Sequence, residues 1–224
     1  MGVSGGPNAI QDGLVLVLDA SDRNSYVSGS TTWYDLSGNN RTFTIVNSAT
    51  FGGNYIELPG SGSRIQLVEN FDWSAIPFTL SSWINMTDQT YPSVYDLIQA
   101  GNGHLSLNAA STPNLDIRIT AGGGVSVVSG GTILLNQWYN LVATREGNNY
   151  KLYINGSLVG TGTSSVLVYD ANMKGVNIGY SPDVDAVTRT MNGKIGNAQI
   201  YNRALSATEI EQNYNATKTR FGLT

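Results

Sequence analysis

From Trp138 to Gly160 the chain reads WYNLVATREGNNYKLYINGSLVG, and this stretch restricts the fold more than any other. Trp138, Asn140, Val142 and Thr144 alternate with Tyr139, Leu141, Ala143 and Arg145. That period of two sends successive side chains to opposite faces of a strand. Gly147-Asn148-Asn149 interrupts the run with residues that tolerate positive φ. Tyr150 to Ile154 is a second β-rich run, and Asn155-Gly156 is the two-residue signal for a type I′ hairpin. Ser157 to Gly160 leads back out, so the pattern predicts an antiparallel meander of three strands.

The rest of the chain continues in the same idiom. Leu14 to Leu18 is unbroken apolar sequence, as in a strand covered on both faces. Short β-rich runs follow at Thr42 to Val46, Tyr55 to Leu58 and Ile65 to Val68. Phe78 to Asn85 is stronger, with Phe78, Leu80 and Ile84 on one face and Trp83 on the other. Four more strands are predicted at Val94 to Gln99, His104 to Asn108, Leu115 to Thr120 and Val125 to Val128, and two more at Val176 to Gly179 and Lys194 to Tyr201. Gly-, Asn- and Pro-rich turns separate them, the signature of a sandwich or jelly roll. Asp19 to Gly38 reads as a long packed loop, because Tyr26, Trp33 and Tyr34 have surface to bury. Ser206-Ala207-Thr208-Glu209 is a capping box that opens a helix to about Thr217. Residues 1–10, rich in Gly, Ser and Pro, form a loose lead-in, and 11–224 read as a single domain.

Composition narrows the function. A chain of 224 residues buries roughly 70% of its unfolded surface and needs no cross-links. It has no cysteine, which removes thiol catalysis and Cys-type zinc sites. Net charge is -4 with no basic block, so the Lys/Arg footprint of a nucleic-acid binder is missing. The longest apolar run, Leu14 to Leu18, is too short to span a bilayer, and no signal peptide opens the sequence.

Several of these segments together resemble laminin G-like domains of the concanavalin A-like lectin/glucanase superfamily. They are the Trp138 to Gly160 meander, Phe78 to Ile84, Asn177-Ile178-Gly179, Asn192-Gly193-Lys194-Ile195 and Ile200 to Ser206. The opening, Asp12 to Ala20 with Thr32 to Asn39, fits as well. The resemblance implies an all-β, concanavalin A-like jelly-roll sandwich of two antiparallel sheets with a short C-terminal helix. It implies structural roles for Trp33, Trp83 and Trp138. The opening combined with the Arg203 to Lys218 ending resembles domains of tailed-bacteriophage virion proteins, which implies a module on a virion surface or otherwise extracellular. Where relatives often read Gly-x-Ile-Asp-Glu, this chain has Ile195-Gly196-Asn197, which weakens any metal site using those positions.

The residues bear on three functions. A glycosidase needs two carboxylates about 5–10 Å apart; Glu57, Glu69, Glu146, Glu209 and Glu211 lack the paired spacing of the glucanases. A carbohydrate site needs a flat aromatic and a few polar groups. Tyr180 is the leading aromatic, with Tyr95 beside Asp96, His104 with Asn108, and Asp116 with Arg118 as further candidates. Relatives that bind Ca²⁺ use loop oxygens at the sandwich rim; here Asp183, Asp185 and Asp88 could supply them. The reading is a non-catalytic carbohydrate-binding module, with glycans as partners and copy number supplied by a symmetric assembly. The alternative is a capsid or tail decoration protein that binds other virion proteins, and a glycosidase comes third.

Overall fold

The computed structural model describes residues 9–60, 62–67, 77–88, 94–100, 103–111, 114–121, 125–164, 175–180 and 190–224, with the side chains of these outside 94–127. Two antiparallel sheets of eight strands form a jelly-roll sandwich. The first runs in the order β14 (Ser157–Thr163), β13 (Asn149–Ile154), β12 (Tyr139–Glu146), β7 (Phe78–Met86), β16 (Asn192–Tyr201), β5 (Ile56–Pro59) and β4 (Thr50–Phe51). β1 (Leu14–Asp19) takes the part of β16 that β5 leaves free. The second sheet runs β11 (Val125–Ile133), β10 (Asn114–Ala121), β9 (Gly103–Ser111), β8 (Val94–Ala100), β15 (Val176–Ile178), β6 (Arg64–Leu67), β3 (Thr42–Val46) and β2 (Thr32–Tyr34).

The meander forms as its sequence dictates. β12 and β13 pair from Glu146↔Asn149 to Leu141↔Ile154, and β13 turns into β14 at Asn155 (φ 50°) and Gly156 (φ 80°). Two successive positive φ values are the type I′ geometry, whose twist matches that of the strands it joins. Alternation then sorts the side chains. Leu80, Ile84, Leu141, Ala143, Leu152, Ile195 and Ile200 of the first sheet meet Phe43, Ile65, Val176 and Ile178 of the second in one continuous core.

Two short strands fall outside the predicted pattern. Thr32–Tyr34 crosses the segment expected to be loop, and Thr50–Phe51 is too brief to show any period. Alternation on the first explains why only two of the three loop aromatics are covered. Trp33 is fully buried and meets Tyr26 edge-on at 6.3 Å, whereas Tyr34 is 47% exposed.

The C-terminus determines which face of the sandwich is free. Helix α1 (Ala207–Thr217) opens with the expected capping box: Ser206 Oγ accepts from the Glu209 N–H at 3.3 Å, and Glu209 Oε2 accepts from the Ser206 N–H at 2.8 Å. Ile210 packs with Val142, Tyr153, Tyr201 and Leu205 on the outer face of the first sheet. A 3-10 turn, Lys218–Phe221, continues the strap and was not legible beforehand. The Trp83 ring stacks against both Tyr214 (5.7 Å) and Phe221 (4.4 Å), and its Nε1 donates to Thr217 Oγ1 at 2.9 Å. Phe221 also meets Trp138 at 4.6 Å, so the three tryptophans that the resemblance implied were structural all make packing contacts. Arg220 closes the strap with an ion pair of 2.6 Å to the buried Asp19. Each large side chain buried here contributes about 1.5–3 kcal/mol.

Candidate functional site

The strap covers the outer face of the first sheet around Trp83, Val142, Tyr153 and Tyr201. Among the described residues no helix or strand packs on the outer face of the second. Its register decides what stands there. β9 and β10 pair Asn108↔Asp116, Ser106↔Arg118 and His104↔Thr120, with Leu107↔Ile117 and Leu105↔Ile119 between them. On β11, Thr132 and Ser129 partner Asp116 and Arg118 and are exposed; Val128, partner of Ile119, is buried. Strand parity therefore sets the polar rows and the apolar rows on opposite faces of the sheet.

This register brings His104, Asn108, Asp116 and Arg118 onto one face. Partnered positions lie about 4.8 Å apart and successive polar rows about 7 Å apart. Tyr95 partners Leu107 and falls in an apolar row, whereas Asp96 partners Ser106 and joins the row of Arg118. Asp96 is thus the nearer neighbour of Arg118 in register, which one strand's sequence could not reveal.

Tyr180 stands elsewhere, at the rim of the sandwich just beyond β15, where it bridges to Thr190. Its half-buried ring lies 5.2 Å from the Arg64 guanidinium carbon, a cation–π distance. Arg64 is itself fixed: Nε donates to Gln66 Oε1 at 2.8 Å, and Nη1 donates to the Gly62 carbonyl at 3.2 Å. The Asn47 amide also donates to that carbonyl at 3.0 Å, and the Gly62 N–H donates to Thr190 Oγ1 at 3.2 Å. The arginine that meets the ring is thus itself fixed by its hydrogen bonds. Arg64 and Gln66 were missed in the sequence, although their alternation with the buried Ile65 and Leu67 marked them as outward-facing.

Asp88 belongs to the same rim. It follows the end of β7 next to the start of β16, where Asn192 Nδ2 is 3.5 Å from Asp88 Oδ2 and Thr87 Oγ1 donates to Asn192 Oδ1 at 3.1 Å. The other proposed calcium ligands, Asp183 and Asp185, lie outside the described residues. Among the described residues no three His, Asp or Glu side chains converge as a metal site would need. At β16 the structure gives a reason for the departure from the acidic pattern. Asn197 Oδ1 accepts the Trp83 backbone N–H at 3.0 Å, and Gly196 lies under the Phe221 ring. Gly196 is committed to the strap, and Asn197 to the join of β16 with β7.

A depression of about 420 Å³ opens between the end of the β12–β13 hairpin and the start of α1, lined by Thr144, Glu146, Lys151 and Glu209 among others. Two carboxylates in one pocket invite comparison with a glycosidase. Glu209, however, takes both guanidinium nitrogens of Arg203 at 2.7 and 3.0 Å. Those hydrogen bonds pull its carboxyl down to about 2. A general acid needs the opposite shift. The pair caps a helix.

Residues 52–211 match the laminin G-type family described as the concanavalin A-like lectin/glucanases superfamily. A comparison with curated proteins gives no match. Among solved structures, Trypanosoma rangeli sialidase in complex with sialic acid is similar at a TM-score of 0.70 and 19% identity, over 93% of this chain and 33% of that one. The binding domain of Paraclostridial Mosquitocidal Protein 1 gives 0.64 and 21% identity, over 92% and 52%. A mutant of HCR/D gives 0.65 and 19%, over 93% and 52%. At these identities the likeness is one of fold, and the chain spans a third to a half of the lengths it matches.

Proposed function

Since this chain belongs to the laminin G-type family of the concanavalin A-like lectin/glucanases superfamily, we propose that it is a non-catalytic carbohydrate-binding module working through the outer face of its second sheet. One observation carries the reading: the two sheet faces are unequal. The strap occupies the first, while the second joins His104, Asn108, Asp116 and Arg118 in adjoining polar rows. Tyr180, with the Arg64 guanidinium against its ring at the rim, supplies an aromatic surface for the apolar side of a sugar ring. Its hydrogen bonds to Arg203 keep Glu209 ionised, which does not suit a general acid.

Display on a virion or another repeating surface completes the proposal, and it rests on the resemblance of the chain's opening and ending to phage virion domains. A shallow, polar site binds weakly, and repetition multiplies it. Calcium, held by Asp88 together with Asp183 and Asp185, is a further element. A glycan array probed with the multivalent protein, in calcium and again in EDTA, tests all of this. Glycan binding lost in EDTA supports lectin and metal together, and binding that survives EDTA retains the lectin alone. Silence in both buffers, with self-assembly or capsid binding, transfers the protein to the decoration reading. The exposed Val27, Tyr34, Leu134 and Leu158 are the apolar contacts which that alternative would use.

A further inference from the structure

The strap lies on a face whose composition does not suit a permanent cover. In register, Ser81 of β7 stands between Val142 of β12 and Gln199 of β16, and Trp83 stands between Asn140 and Asn197. Thr79 and Thr144 pair in the next row. All of these are more than nine-tenths buried, and Val142 alone among them is aliphatic. The inner face of the same strands is built instead from Leu80, Ile84, Leu141, Ala143 and Ile200. Strand parity gives the two faces opposite characters, although both are closed. A helix that never leaves a sheet gains most from apolar surface beneath it. Hydroxyls and carboxamides there gain more from water.

The hydrogen bonding beneath the strap is unequal as well. The strap serves Trp83 through Thr217, Tyr201 through Asn213 Nδ2 at 3.1 Å, and Asp19 through Arg220. It brings no donor to Asn140 Oδ1 or to Asp19 Oδ2, buried acceptors without a partner among the described residues. An acceptor that loses water and gains no donor opposes the closure that buries it. Burial of Ile210 and Phe221 favours closure. The root of the strap is held separately: Thr79 Oγ1 donates to the Arg203 carbonyl and accepts the Leu205 N–H, both at 2.9 Å. We propose that the strap is a hinged cover, which lifts from the first sheet as a unit beyond Leu205 while the sandwich stays folded. Lifting hydrates the bare acceptors and uncovers Trp83 with its polar neighbours, a face that is closed at rest. Such local opening requires less free energy than global unfolding. The proposal is independent of the carbohydrate-binding reading, which uses the other sheet.

Because the chain has no cysteine, single introduced thiols report on the cover. Ser81→Cys places one beneath the strap, and Ala143→Cys places one in the core behind it. Val142→Cys, at a position that meets Ile210, is a second reporter under the strap. Each folded variant is labelled with dithionitrobenzoate in rising denaturant below the unfolding midpoint. The two thiols under the strap should react at least about tenfold faster than the core thiol, with a weaker dependence on denaturant. Phe221→Ala, added to Ser81→Cys, should speed the reaction further, with circular dichroism confirming that the sandwich remains folded. A rate that Phe221→Ala leaves unchanged would mean static access to Ser81 and overturn the hinge. Equal rates and equal denaturant dependence at all three positions would also overturn it, since strap and sandwich would then open together.

Discussion

Phe221 lies against Gly196 so closely that a Cβ at that glycine would stand 2.4 Å from the ring. The bare backbone of β16 is therefore the floor of the aromatic stack that also includes Trp83 and Trp138. Gly196→Ala should push Phe221 out of register with Trp83 and destabilise the fold by about 1–3 kcal/mol. A denaturant titration would read this, and an unchanged midpoint would mean that the strap contributes nothing to stability.

Thr217→Val keeps the shape of the helix end but removes the acceptor for the buried Trp83 Nε1. An unpaired indole N–H in that setting costs about 1–3 kcal/mol. The tryptophan emission of the variant should also change, because its indole loses a specific partner. Thr217→Ser, which restores an acceptor, should recover most of the loss.

Glu209 makes stability depend on pH in a defined direction. Its hydrogen bonds to Arg203 hold the folded-state carboxyl at about 2, below its ordinary value of 4.5. The folded state thus favours the ionised form. Its contribution is complete above about pH 4.5 and is lost as the pH falls toward about 2. Because the pair is partly solvated, the effect is about 1 kcal/mol. Melting curves of the wild type and Glu209→Gln should be separated at neutral pH and converge in acid. Parallel curves over that window would dismiss the role assigned to the pair.

At the rim, Tyr180→Ala should weaken glycan binding about tenfold by removing the stacking surface. Arg64→Ala should weaken it less, because the ring remains but loses its support. Calorimetry with any glycan identified on the array decides this. Equal, unaltered affinity in both variants would place the aromatic contact elsewhere.

Replacing Asp116 and Arg118 together by alanine removes two charged groups from successive polar rows of β10 while leaving Ile117 and Ile119 intact. Affinity for the same glycan should fall while the melting temperature stays within a few degrees. A fall in both would assign these residues to stability.

Much of this architecture could be read from local pattern. The Asn155-Gly156 turn, the Ser206–Glu209 cap and the placement of Trp83 opposite Phe78, Leu80 and Ile84 each depend on residues a few positions apart, where strand and helix periods act directly. What Trp83 would touch was hidden, because Tyr214, Thr217 and Phe221 reach it from more than a hundred residues away. The candidate site divides in the same way. Alternation along β10 was enough to associate Asp116 with Arg118, but bulges and turns determine which β8 residue joins them. Only the register exchanges Tyr95 for Asp96. Thr32–Tyr34 and Thr50–Phe51 were illegible for a simpler reason: two or three residues cannot display a period.

The position of the strap also bears on how the molecule can be held. Ile10 donates its N–H to Asn213 Oδ1 at 2.8 Å and accepts from the Tyr201 hydroxyl at 3.1 Å, so the start of the described chain lies on the same side as its end. A tether attached after the strap, whether a sensor chip, a bead or a reporter protein, would hold the sandwich from the outer side of its first sheet. The outer face of the second sheet would then be turned away from the support, in the orientation that an avidity measurement requires.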